Sequence, residues 1–69
     1  MKINQEKLSI AMAENELNFS QLSNRSGVSR PTLSYINNGK RCRPDIAAKI
    51  AKALRVPVTA ILETTRSES

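Results

Sequence analysis

Apolar positions along the chain recur at spacings of three and four, the period of a helix face, and no stretch alternates apolar with polar as a half-buried strand would. Leu8, Ala11 and Met12, with Asn15 on the same side, predict a first helix that Asn4 caps and that ends at about Asn15. Leu22 marks a second helix over about 19–26, and Leu33 with Ile36 a third over about 30–37. Ile46, Ala47, Ile50, Ala51 and Leu54 define a fourth, opening at Pro44 or Asp45, with Lys49 and Lys52 away from its apolar stripe. After a break at Val56-Pro57-Val58, Thr59 to Leu62 predicts a short fifth. The expected fold is all-α, a compact bundle of five short helices.

Punctuation between these helices is equally legible. Asn18 followed three residues later by Gln21 is a capping-box pattern, and Ser29 precedes Arg30-Pro31 with proline in the first turn. Gly27 supplies the turn between the second and third helices, where a positive φ costs glycine nothing, and Val28 after it drops its side chain into the core. Ser23 is small enough for the next helix to cross close above it. Asn38-Gly39 stops the third helix.

With 69 residues there is room for one core, which buries only roughly 60% of the surface the unfolded chain exposes. We expect one domain over residues 1–63 and a polar, disordered tail over 64–69. Phe19 and Tyr35 are the only aromatics, so that core must be aliphatic.

Cys42 is the only cysteine and histidine is absent, which excludes an intramolecular disulfide and a Cys/His zinc site; no metal or cofactor is expected. Nor is an enzyme: Cys42 lacks an activating base and no glycine-rich phosphate cradle exists. Cys42 lies between Arg41 and Arg43, which suggests either a thiol of lowered pKa, sensitive to oxidation, or an incidental loop thiol. No apolar run approaches the ~18 residues of a membrane span, and no signal-peptide core is present. No small-molecule substrate is evident.

The net charge is +5 and the pI near 10.0, which favours an anionic partner. Distribution sharpens this: between Arg25 and Arg55 lie eight basic residues and a single acid, Asp45.

Leu22, Ser23, Gly27, Val28, Leu33 and Ile36 match a family pattern, as do Asn38-Gly39-Lys40, the Arg43-Pro44 pair and Ala53-Leu54-Arg55-Val56. On these residues the chain resembles Cro and phage-repressor type helix-turn-helix proteins, also called XRE-like or lambda-repressor-like, over nearly its whole length. The resemblance implies that helices 2 and 3 form the helix-turn-helix and that double-stranded DNA is the partner, with helix 3 in the major groove. It also implies a cytoplasmic, bacterial or phage-encoded transcriptional regulator, nucleoid-associated when bound. A homodimer on a pseudo-palindromic operator is expected, because one recognition helix contacts few bases. Repression by occupancy is the expected action; contact with polymerase would make the protein an activator instead. The alternative from another class is a protein-interaction module on the same fold, such as an antitoxin-like or antirepressor-binding subunit.

On a wheel for helix 3, Arg30, Pro31, Thr32, Ser34 and Tyr35 are the candidate base contacts. Arg30 can donate twice to guanine O6 and N7, against the alternative of a phosphate contact or a solvated arginine. Pro31 occupies a position where many relatives carry a hydrogen-bonding residue; its ring either packs on a thymine methyl or serves only the helix start. Tyr35 either faces the groove or packs partly against helix 2. Thr32 and Ser34 are short polar groups, able to reach DNA or to face solvent.

Backbone positioning is expected from Asn18, Phe19, Ser20 and Gln21 at the start of helix 2, and from Asn38, Lys40, Arg41 and Arg43. Phe19 stands where the family often has glutamine, and packs on helix 1 or on the sugars. The loop cations either follow the phosphates or form a solvated patch. Many relatives pair a buried arginine on helix 1 with a glutamate near the end of helix 3, whereas Met12 and Asn37 stand at those positions here. Val56, Pro57, Val58 and Ile61 are the candidate dimer surface, against the alternative that this segment packs into the core, as Leu62 at least is expected to do.

Overall fold

Why four of the expected helices form, and the fifth does not, is visible in their end groups. In the computed structural model, which describes residues 1–63, α1 spans Gln5–Glu14, α2 Phe19–Ser26, α3 Arg30–Asn37 and α4 Pro44–Ala53. Asn4 caps α1 by accepting the Lys7 N–H at 2.9 Å, and Asn18 caps α2. Gly27 closes α2 at φ 78°, a left-handed angle that glycine takes without cost, and Gly39 follows α3 at φ 88°.

Two helix ends use the same device without glycine. After α1 the Leu17 N–H bonds the Met12 carbonyl and Glu16 the Ala13 carbonyl, with Glu16 at φ 54°. After α4 Val56 bonds Ala51 and Arg55 bonds Lys52, with Arg55 at φ 59°. Both are Schellman closures in which a residue with a Cβ sits in the left-handed region. Chain composition does not announce them.

The fifth helix is corrected to a 3-10 turn, Val58–Ala60. Its only helical bonds are Ala60 N–H to Pro57 O and Ile61 N–H to Val58 O. Beyond it the backbone is taken by the N-terminus: Asn4 N–H donates to Ile61 O at 2.8 Å and Glu63 N–H to Lys2 O at 3.0 Å. A segment engaged in this pairing cannot continue a helix. Lys2 also pairs with Arg41 and Ile3 with Leu62 as isolated bridges, so Met1 to Ile3 runs between the loop after α3 and the C-terminal segment. Among the described residues there is no longer strand. The expected tail at 64–69 lies outside the described residues.

The core is aliphatic, as the composition requires. Leu8, Leu22, Leu33, Ile36, Ile50 and Leu54 are fully buried, joined by Ile3 and Ile61 from the paired ends, and no polar or charged residue is buried among those described. Met12 packs half-buried against this core. At the two positions expected to pair in relatives, Met12 adds hydrocarbon to the core and Asn37 carries no charge, so no unpaired charge is buried there. Asn37 is tied to α1 another way, its carbonyl accepting the Gln5 side-chain amide. Asn15, expected on the apolar face, is a polar tie: its Nδ2 donates to Ala11 O at 2.9 Å and to Leu54 O at 3.0 Å, fastening the C-terminal end of α1 to that of α4. No helix among the described residues is long and apolar enough to cross a membrane.

Candidate nucleic-acid interface

The geometry of α3 follows from its two faces. Leu33 and Ile36 are buried, which turns Arg30, Pro31, Ser34, Tyr35 and the cap Asn38 to solvent. Tyr35 is 56% exposed, so its ring is not packed away against α2. Arg30 and Ser34, Pro31 and Tyr35, and Ser34 and Asn38 are each four apart, and the row they form extends about 12 Å along the helix. Thr32 differs from this set. It is half-buried, and its hydroxyl lies 2.8 Å from Ser29 Oγ, which also accepts the Thr32 N–H at 3.4 Å as the cap of α3. Its polar group is engaged in starting the helix.

The start of α2 presents a second group. Asn18, Ser20 and Gln21 are exposed and Phe19 half-buried. The capping box holds the first turn and leaves the amide end of the helix open to solvent, where the dipole favours an anion.

Lys40 and Arg41 are exposed on the loop after α3, and that loop is fastened from below. Cys42 N–H donates to Met1 O at 2.7 Å, the Met1 ammonium donates to Cys42 O at 3.0 Å, and Arg41 bridges to Lys2. Nothing in the local sequence signals this support, since it joins residues some forty positions apart. Arg43 forms a two-pronged pair with Asp45, Nε to Oδ1 at 3.2 Å and Nη2 to Oδ2 at 2.9 Å, both side chains being largely exposed. The hydrogen bond to Arg43 holds the Asp45 carboxyl below its ordinary pKa and raises that of Arg43. The single acid of the basic run therefore neutralises one of its expected phosphate ligands.

At this surface one alternative falls and one expectation is corrected. Burial raises the Cys42 thiol above its ordinary pKa, with the N-terminal ammonium pulling weakly the other way, so the neighbouring arginines do not activate it. Ile61, expected at a dimer surface, is fully buried, because the turn before it and the pairing after it direct its side chain into the core. Val56 and Val58 are half-buried and Pro57 is exposed.

The basic run also separates in space. Arg30, Lys40, Arg41 and Arg43 lie on α3 and its loop, whereas Arg25, Lys49, Lys52 and Arg55 line a cleft elsewhere. Along the chain they form one run, since the separation depends on which helix ends pack together.

Comparison with curated proteins and with solved structures finds no match. The family model for the Cro/C1-type HTH DNA-binding domain matches residues 7–67, a span that includes α2, α3 and the basic loop. The chain belongs to the Cro/C1-type helix-turn-helix DNA-binding domain family.

Proposed function

We propose that the protein is a sequence-specific transcriptional regulator, a repressor that binds a pseudo-palindromic operator as a homodimer in the cytoplasm. In this reading α2 and α3 are the helix-turn-helix, and α3 enters the major groove with Arg30, Pro31, Ser34 and Tyr35 toward the base edges. The observation that carries it is the outward row on α3, where an exposed tyrosine and an exposed arginine stand beside a cationic loop. Arg30 reads guanine, Tyr35 contacts a methyl, a sugar or a base edge, and Thr32 acts mainly through the cap. The amides of Phe19 and Ser20, with the Gln21 side chain, seat one phosphate; Asn38, Lys40, Arg41 and Arg43 follow the adjoining strand.

Two recognition helices about 34 Å apart would meet successive major grooves, and occupancy of a promoter would exclude polymerase. The half-buried Val56 and Val58 with exposed Pro57 are the dimer contact. The burial of Ile61 shrinks the apolar surface for a dimer and for an interaction module alike; what weighs against the module is the exposed Arg30 and Tyr35 beside the cationic loop, which it does not need.

Selection from a random duplex pool at two salt concentrations, followed by sequencing, tests this function. Enrichment of a pseudo-palindrome supports the regulator; retention that vanishes with salt and enriches no motif sinks it.

A further inference from the structure

The cleft lined by Arg25, Ser26, Lys49, Lys52, Ala53 and Arg55 has a volume of about 560 Å³ and opens between the C-terminal ends of α2 and α4. Those helices pack on each other, so the core sets the cleft's position. All four cations are exposed, and none has an ion-pair partner: Arg43–Asp45 is the one salt bridge among the described residues.

Helix-end electrostatics explain part of this cluster. Arg25 and Lys52 stand in the last turns of α2 and α4, where a cation offsets the negative end of the dipole. Arg55, just past the cap Leu54, shares that explanation, whereas Lys49, one turn earlier, does not.

The lining selects the ligand. Protein interfaces have an apolar or aromatic centre and are poor in lysine, whereas this cleft has no aromatic residue and its one apolar residue, Ala53, is buried. A single-stranded nucleic acid needs aromatic faces for its bases to stack on, and none is present. A polar surface with four unpaired cations matches contact with a duplex backbone.

We propose that this cleft seats the phosphate backbone of a second duplex segment, without reading its sequence, so that one protomer holds two stretches of DNA. The proposal rests on the DNA-binding reading above, in which α3 takes the first duplex. Arg25 lies about 10 Å along α2 from the capped end assigned to that first duplex.

Two short duplexes, one labelled with a donor dye and one with an acceptor, test it. Energy transfer reads bridging, and the anisotropy of either duplex alone reads ordinary binding, both over a salt series. Lys49→Gln/Lys52→Gln removes two exposed cations while keeping good helix formers, and circular dichroism checks that the helix content is unchanged. The wild type bridges the duplexes; the double variant loses bridging by roughly ten-fold or more and changes single-duplex affinity by less than about three-fold. The log–log salt slope of bridging becomes shallower by about 2, from ~0.9 per phosphate contact. Bridging that persists in the variant, as when each protomer of a dimer holds one duplex, overturns the proposal. So does a wild type that binds single duplexes without bridging them, or one whose cleft binds poly-glutamate and no second duplex. A wild type that binds no duplex at all overturns the DNA-binding reading itself, which the anisotropy distinguishes.

Discussion

Asn18 and Gln21 complete each other: Asn18 Oδ1 accepts the Gln21 N–H at 2.8 Å, and Gln21 Oε1 accepts the Asn18 N–H at 2.9 Å. This exchange uses one amide of the first turn of α2 and spares those of Phe19 and Ser20. It also fixes the Gln21 side chain so that its Nε2 remains to donate. The same pair thus starts a helix and shapes the seat proposed for a phosphate.

Asn18→Ala should therefore destabilise the fold by about 1 kcal/mol, read as a lower denaturation midpoint with unchanged slope. Asn18→Asp should restore the stability, since its carboxylate also caps, but weaken DNA binding by placing a negative charge at the phosphate seat. A wild-type affinity in Asn18→Asp would show that no phosphate sits there.

Gly27 and Glu16 occupy the same left-handed region with opposite side-chain choices, and replacing each should move stability in opposite directions. A Cβ on Gly27 would meet nothing within 4 Å, so Gly27→Ala should cost only the backbone strain, about 1 kcal/mol, and not a repacking of the core. Glu16→Gly, at φ 54°, should relieve that strain and raise the melting temperature by a few degrees, against a partial loss to the greater freedom of the unfolded glycine. Thermal unfolding followed by circular dichroism measures both; a Gly27→Ala protein as stable as wild type would contradict the role given to the turn.

On the proposed reading, Asp45 competes with the DNA backbone for Arg43. Asp45→Asn should free the guanidinium, tighten duplex binding a few-fold at low salt and steepen the log–log salt dependence by about 1. The carboxyl has a depressed pKa in the folded chain, so its contribution is present above the unfolded value of about 3.9 and is lost as pH falls through the folded one. Both partners are exposed, so this contribution to stability is small. With no histidine in the chain, DNA binding should be flat between about pH 5.5 and 6.5. A salt slope unchanged by Asp45→Asn would place Arg43 off the phosphates.

What the sequence disclosed was local chemistry. The Asn18–Gln21 box, the positive φ of Gly27 and the Leu33–Ile36 stripe depend on residues three or four apart, and the bounds of α2 and α3 followed from them. What it concealed depends on distant partners. The burial of Ile61 comes from pairing with the first residues of the chain, and no periodicity in Thr59 to Leu62 distinguishes that from a helix. Glu16 and Arg55 close helices where a reader looks for glycine. Thr32 was legible as a polar residue, but its engagement with Ser29 was not. The eight cations read as one run because only the packing of α2 on α4 sets four of them apart.

Whether α3 reads base sequence comes down to one ratio: affinity for a selected duplex over affinity for a scrambled duplex of the same length. It is to be measured at fixed salt for wild type, Arg30→Ala and Tyr35→Ala. We expect Arg30→Ala to lower the ratio by the equivalent of about 1–3 kcal/mol while binding to the scrambled duplex falls far less, and Tyr35→Ala to lower it as well. A ratio unchanged in both variants, with affinity for both duplexes falling together, would make α3 a backbone-gripping helix and refute base reading by this surface.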